Sequence, residues 1–257
     1  MKKLILLSIL FIVGCNETTE PQDCAGVAGG TAVEDCTGVC EGDAPVDIDG
    51  NCYATIQIGD QIWMTENLKV THYQNGDEIS YPSQEDWGSY TEGQYSVYNM
   101  DHYNQTPIND PQNANVYGNL YNWAVVNDDR GVCPDGWHVP SDDEYTILTD
   151  YLGGVEVAGG KMKECTEGNC PESDYWNTPN TEATNESGFS GLPGGYRDTY
   201  GNYFGMNEQG FFWSSTEDIN DSDRVWTRRV GYDSSEVYGL WRGSKKTTGC
   251  SIRCLKD

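Results

Sequence analysis

Ten cysteines in 257 residues constrain this chain more than any other feature, and they fall into groups. Cys15 stands alone at the end of an apolar run. Cys24, Cys36, Cys40 and Cys52 crowd one glycine-rich stretch, while Cys133, Cys165, Cys170, Cys250 and Cys254 spread over the remainder. Whether such residues cross-link, bind metal or act as nucleophiles depends on the redox compartment, because disulfides persist outside the cytosol and are rare within it.

The first residues point to that compartment. MKKLILLSILFIVGC carries Lys2 and Lys3, then an apolar run from Leu4 to Val13. A basic start followed by about ten apolar residues is a secretory signal, too short to span a bilayer permanently. Its ending, IVGC, resembles the lipobox of bacterial lipoproteins, whose cysteine is lipidated and becomes the mature N-terminus. The resemblance implies a signal peptide over residues 1–14 and acyl chains, palmitate among them, on Cys15. Two or more chains anchor far more firmly than one. The chain is therefore expected to be exported and held in the outer membrane or at the cell surface through Cys15.

Charge argues against one class of partner. Lys and Arg number 15 against 41 Asp and Glu, a formal net charge of −26. Such a chain repels phosphate backbones and anionic lipid heads, so no nucleic-acid partner is expected. Carboxylates on an exported protein suit divalent cations, although most of such a surface serves solubility. The 17 tyrosines and 8 tryptophans, set among 30 glycines, favour loop-rich β structure and suit sugar faces or protein partners equally.

Residues 15–22 read as a polar, Pro-containing tether. Over 23–46, DCAGVAGG (23–30) and DCTGVCEG (35–42) recur with a period of twelve. So much Gly and so few large apolar side chains cannot build a core. Cys24, Cys36, Cys40 and Cys52 would staple this spacer instead, with three pairings open. The D-I-D-G at 47–50 lacks the complete D-x-D-x-D-G of a calcium loop. Residues 47–257 have the size of one domain. YATIQIGDQIWM reads as a hairpin turning at Gly59-Asp60. GFFWSST (210–216), RVWTRRV (224–230), SEVYGLW (235–241) and CSIRCLK (250–256) read as a closing antiparallel sheet. Long Asn/Asp/Gly-rich stretches at 74–119 and 166–210 exceed ordinary loop lengths, and such loops are commonly functional. One helix is clear. Ser141 is its N-cap and Glu144 completes a capping box, with Asp142, Asp143 and Glu144 favoured by the helix dipole. Tyr145, Leu148 and Leu152 share a face, and Gly153-Gly154 ends it.

These stretches together resemble one family, the Fibrobacter succinogenes major paralogous domain. The residues that carry the resemblance are DGNCYATIQIGDQIWMTENLKV (49–70), YGNLYNWAVV (117–126), GVCPDGWHVPSDDEY (131–145), WNTPNTEATNESGFSGLPGGYRD (176–198), GFFWSSTE (210–217) and GCSIRCLKD (249–257). The resemblance implies an exported bacterial surface protein. It also implies an α+β, C-type-lectin-like domain of short twisted antiparallel sheets, one clear helix (about 141–152) and long irregular loops. A disulfide from Cys133 to Cys254, tying the chain ends together, is implied as well. Closing so long a loop is worth about 4–5 kcal/mol in the chain-entropy account. Cys165 and Cys170, flanking TEGN, are expected to form a local staple. Cys250 stands where the family carries an apolar residue and is expected to be a buried free thiol.

A cysteine nucleophile needs an accessible thiolate and a base, and a Cys133 committed to a disulfide supplies neither. His138 reads as capping a backbone carbonyl or facing solvent. With only His72, His102 and His138, a zinc site would need cysteine or carboxylate help. No catalysis is expected. The enzyme alternative is an oxidase of the formylglycine-generating type, a related fold with a reactive cysteine pair. Cys165 and Cys170 have a comparable spacing, but CTEGNC is acidic and lacks flanking arginines. The reading is a surface module that binds a glycan or a cell-surface protein, or serves surface architecture. Its candidate ligand residues are Trp176, Asn180, Asn185 and Glu186 in WNTPNTEATNE, with Arg197 in GGYRD, because an exposed Trp stacks on sugars. Asp218, Asp221 and Asp223 in EDINDSDRVW offer closely spaced oxygens that suit Ca2+, the one candidate cofactor.

Overall fold

The computed structural model describes residues 21–100, 112–239 and 244–257. Cys15, the lipobox and His102 lie outside the described residues. The chain divides after Asp43 into two compact units.

The smaller unit is built from one turn used twice. Asp23 Oδ1 accepts from the backbone N–H groups of Ala25 and Val27, at 3.0 and 2.8 Å. Asp35 Oδ1 does the same for Thr37 and Val39, at 2.8 and 3.0 Å. Each turn needs a positive φ three residues on, supplied by Gly26 (77°) and Gly38 (84°). Among the pairings left open by the sequence, Cys24 joins Cys40. Cys36 and Cys52 are also disulfide-bonded. The same turn opens the larger unit, where Asp47 Oδ1 accepts from the N–H groups of Asp49 and Asn51.

In chain order the larger unit contains β1 (Thr55–Ile58), β2 (Gln61–Met64), β3 (Tyr95–Ser96), α1 (Gln112–Tyr117), β4 (Leu120–Tyr121) and α2 (Trp123–Val126). There follow β5 (Trp137–His138), α3 (Asp142–Tyr151), α4 (Val155–Met162), β6 (Gly194–Arg197), β7 (Tyr203–Met206) and β8 (Gln209–Glu217). The last strands are β9 (Arg224–Gly231), β10 (Val237–Gly239), β11 (Ser244–Lys245) and β12 (Leu255–Lys256). This is a mixed α+β architecture. Four helices are present among the described residues, so the expectation of one clear helix is corrected.

The sheets run β1-β2-β12-β5, then β10-β9-β8-β6-β7 with β11 also on β9, and a small β3-β4 pair. The expected β1–β2 hairpin is present, with Ile58 paired to Gln61. The expected closing sheet is only partly so. β8, β9 and β10 pair antiparallel, but β12 lies between β2 and β5. The reason is that residues 249–257 change partner at almost every step. Gly249 exchanges backbone hydrogen bonds with Arg197, and Cys250 with Tyr121. Ser251 bonds Phe211 and Trp213, while the carbonyls of Ile252 and Cys254 accept from Leu68 and Met64. Asp257 closes the run on Gly136. Cys250 to Leu255 are all buried, and Cys254 is bonded to Cys133 just upstream of β5.

α3 forms as its sequence dictates. Ser141 and Glu144 make the reciprocal capping box, and Asp142, Asp143 and Glu144 occupy the first turn. Tyr145, Leu148 and Leu152 are buried in one cluster with Trp63, Phe189 and Phe212. The Trp63 ring lies 5.1 Å from Tyr145 and 5.7 Å from Phe189, within the usual range for favourable aromatic pairs. Among the described residues no helix is long and apolar enough to cross a membrane.

Candidate ligand-binding cleft

The residues singled out in the 176–197 stretch are engaged within the protein, most of them in the core. Trp176 is 4% exposed and its indole N–H donates to Gly191 O at 3.0 Å. It offers no free face to a sugar, which corrects the expectation of an exposed Trp. Asn180 is 1% exposed and its amide donates to the carbonyls of Glu164 and Pro171. Asn185 exchanges hydrogen bonds with Ser190. Exposed Glu186 pairs with Lys161 at 2.9 Å. Arg197 is buried, with its guanidinium 4.3 Å over Trp87 and 5.0 Å over Tyr203, and Nε donates to Gly201 O at 3.1 Å. It anchors a loop by stacking and carbonyl capture.

Two further buried cations hold this region, and neither was legible as such. Lys163 Nζ donates to the carbonyls of Thr181, Gly231 and Ser234, each at 2.9 Å. The ammonium stands where a small cation would be caged by backbone oxygens, and burial pulls its pKa down to about 8. Arg253 is fully buried, lies 4.2 Å over Phe189 and donates to Asn67 Oδ1 at 2.8 Å. Its other donors meet the carbonyls of Phe189 and Ser190, and burial pulls its pKa down to about 9.

Two of the three aspartates proposed for Ca2+, Asp218 and Asp221, have their carboxylates engaged in turns, and Asp223 takes part through its backbone N–H. Asp218 Oδ1 accepts from Asn220 N at 2.9 Å and Asp221 Oδ1 from Asp223 N at 3.1 Å. Asp221 Oδ2 also pairs with Arg224 Nε at 3.3 Å. Among the described residues no group of three or more His, Cys, Asp or Glu gathers for a metal ion. Nor is a reactive thiol placed among them. Cys133 is bonded to Cys254, and Cys165 to Cys170. Cys250 is free and buried, and burial pushes its thiol pKa far above the usual range. His138 neither caps a carbonyl nor stands free. Its Nδ1 meets Asp257 Oδ1 at 2.6 Å and its Nε2 meets Glu144 Oε1 at 3.0 Å.

The open site lies in the other long stretch, 74–119, at its N-terminal end. A cleft of about 710 Å3 is lined by Thr71, His72, Tyr73, Glu78, Ser80, Tyr81, Thr91, Glu92, Tyr95 and Arg130 among others. Tyr81 is 54% exposed and its ring lies 5.0 Å from that of the half-buried Tyr95, tilted 58° to it. Tyr95, on β3, is fixed by its pairing with Tyr121 of β4 and by the ring contact between them. Tyr81 is therefore a presented aromatic face on a rigid support.

Arg130 and His72, the basic side chains lining the cleft, each meet a carboxylate. Arg130 lies 3.8 Å over the Tyr73 ring and holds Asp128 with two bonds, at 2.9 and 2.8 Å. Its third bond is to Asp77 at 3.0 Å. His72 Nδ1 meets Asp49 Oδ1 at 2.5 Å, and Thr71 Oγ1 donates to Asp49 Oδ2 at 2.8 Å. Burial tends to raise the Asp49 pKa, but donors from Thr71 and His72 hold it below the usual carboxylate range. Burial, with Asp128 nearby, pushes the Tyr73 phenol up to about 12, and burial also raises Tyr95. Tyr73 and Tyr95 therefore stay neutral at physiological pH. The cleft is thus an aromatic platform edged by hydroxyls and by the carboxylates Glu78 and Glu92. Loop length alone pointed to this stretch. Arg130 comes from elsewhere in the sequence, and no local motif links it to Tyr73.

A family model, the Fibrobacter succinogenes major domain, matches residues 56–256. No curated protein matches the chain, and no solved structure does.

Proposed function

We propose, for a chain that belongs to the Fibrobacter succinogenes major domain family, that its larger unit is a non-catalytic binding module of an exported, lipid-anchored surface protein. Its ligand is a neutral saccharide seated in the Tyr81–Tyr95 cleft. One observation carries the reading: an exposed tyrosine ring, its centroid 5.0 Å from that of a second ring tilted 58° to it, set in a hydroxyl-edged cleft. The apolar face of a pyranose packs on such a ring, while neighbouring hydroxyls and carboxylates meet the sugar hydroxyls. The matched state of Arg130 and His72 favours a ligand without its own negative charge.

The test is a glycan array on the soluble chain, run with and without Ca2+ and repeated with Tyr81→Ala. A neutral oligosaccharide should bind saturably, and the variant should weaken it at least tenfold with an unchanged Tm. Binding that ignores Tyr81→Ala removes the cleft from the proposal, and no binding at all makes surface architecture the better account. Ca2+ at Asp218, Asp221 and Asp223 belongs to the same proposal and predicts a Tm raised by the ion and lowered by a chelator. A C-type-lectin-like ancestry for the fold is part of this reading, by analogy with modules that bind through long loops. The oxidase alternative predicts copper-dependent oxygen uptake with a cysteine peptide. We expect none, since Cys165 is tied to Cys170 and Cys250 is buried.

A further inference from the structure

A second pocket has the opposite electrostatic character. β6, β8, β9 and β11 contribute to a cavity of about 560 Å3 whose lining includes Tyr196, Phe211, Arg224, Arg229, Lys245 and Thr248. Three cations in one pocket are unexpected in a chain with 41 acidic and 15 basic residues. Elsewhere on and beside β9 the cations are matched: Arg228 holds Asp142, and Lys246 holds Glu217 at 3.1 Å. Arg224 likewise reaches Asp221. Among the described residues, Arg229 and Lys245 have no carboxylate within ion-pair distance. The one acid in the lining, Asp198, accepts from the N–H groups of Tyr200 and Asn202 at 2.8 and 2.9 Å, closing its own turn.

Two details show that these charges are held against a cost. Arg224 and Lys245 are direct cross-strand partners, and like charges so placed repel. Arg229 is packed with its guanidinium 4.4 Å over the Tyr238 ring, and its Nε is buried without a hydrogen-bond partner. An unmet buried donor is uncommon in folded proteins and calls for an explanation. Beside it, Phe211 is the register partner of Arg229 and lies 4.9 Å from the Tyr196 ring. Aromatic wall and unmatched cations therefore share one cavity.

We propose that this pocket binds the acidic group of a sugar, a carboxylate or sulfate, with the ring against Tyr196 and Phe211 and the oxyanion on Arg229 and Lys245. An oxyanion here would also screen the Arg224–Lys245 repulsion. The sugar component rests on the glycan reading above; the anion component does not. The module would then take a neutral sugar unit in the cleft and an acidic one in this pocket, two sites of different chemistry.

The test is titration of the full chain with trigalacturonate, its methyl ester, a sulfated galactose oligosaccharide and a neutral oligosaccharide. The acid should bind at least tenfold more tightly than its ester, a gap that shrinks as salt rises. Lys245→Gln, at an exposed position, and Arg229→Gln should each weaken acid binding at least fivefold while leaving neutral binding unchanged. Uronate and sulfate arms separate the two sources of the acidic group. Equal binding of acid and ester, or acid binding that survives the Arg229→Gln/Lys245→Gln double variant, overturns the proposal. Tyr81→Ala separates the two readings: failure of the neutral arm alone removes the cleft and leaves this pocket standing.

Discussion

At the scale of single residues, His138 shows how a side chain that looks reactive in sequence becomes a fastener. It joins Asp257 to Glu144, the capping residue of α3. Burial works against the imidazolium, but the two carboxylates outweigh it and raise its pKa above 6.5. The contribution of His138 is therefore complete below about pH 6.5 and is lost as pH rises through the raised folded value. Burial likewise works against the Glu144 carboxylate, but Ser141 and His138 outweigh it and depress its pKa. Its contribution is present above the unfolded value and is lost as pH falls through the folded one. The pair thus stabilises most between the two unfolded values, from about pH 4.5 to about pH 6.5. Partly exposed ion pairs are worth about 0.2–1 kcal/mol each, so the effect on Tm is roughly 1–4 °C for a domain of this size. As pH rises above 6.5 the wild-type chain should lose that stability relative to His138→Gln, read by thermal unfolding at matched salt. Parallel pH profiles for the two proteins would remove His138 from the account. The identity of its partners was not legible, because Asp257 reaches it only through the pairing of β12 with β5.

At the scale of elements, what was legible was whatever is written locally. α3 announced itself through a cap, an acidic first turn and an apolar face, and the structure has all three. The Asp–x–x–Gly turn was legible twice as a period of twelve. The same turn at Asp47 and at Asp198 escaped, because its geometry uses only the Asp carboxylate and a positive-φ Gly while the flanking residues differ. α4 escaped for the opposite reason: VEVAGGKM has two β-branched residues and two glycines, all weak helix formers. The helix is made by tertiary contact. A Cβ on Gly159 would sit 2.5 Å from Glu236 O, and one on Gly160 would sit 2.4 Å from Glu182 O. Backbone packs on backbone here, tied by Gly160 N–H to Ser235 O and Thr184 N–H to Gly160 O. Gly160→Ala then sets two effects against each other. Helix propensity favours alanine by about 1 kcal/mol. Overpacking against a rigid carbonyl costs about 1–3 kcal/mol and loses the Thr184–Gly160 backbone bond if the loop carrying Glu182 retreats. The steric effect should win, lowering the denaturation midpoint by an amount equivalent to about 1–2 kcal/mol. A raised midpoint would mean that α4 is held by propensity after all.

At the scale of the whole larger unit, residues 249–257 are the seam. They bond in turn to β6, β4, β8, the segment after β2, β2 itself and β5. No alternation pattern could have announced such a path, since each residue answers to a different neighbour. Even the core arginine on it, Arg253, lies over the Phe189 and Phe212 rings and, among the described residues, makes no ion pair. The Cys133–Cys254 disulfide fixes the seam at a sequence separation of 121, while Cys165–Cys170 spans only 5. If these bonds act by restricting the unfolded chain, the long one is worth about 5 kcal/mol and the short one about 2 kcal/mol. Pairwise replacement by alanine separates that account from a purely local one. Cys133→Ala/Cys254→Ala should lower the urea midpoint far more than Cys165→Ala/Cys170→Ala. It should also steepen the transition, because an unfolded chain freed of a long loop exposes more surface and raises m. Equal losses with an unchanged m would place the stabilisation in native packing around Cys254. The order of the two losses therefore decides whether the seam is held by its contacts or by the loop it closes.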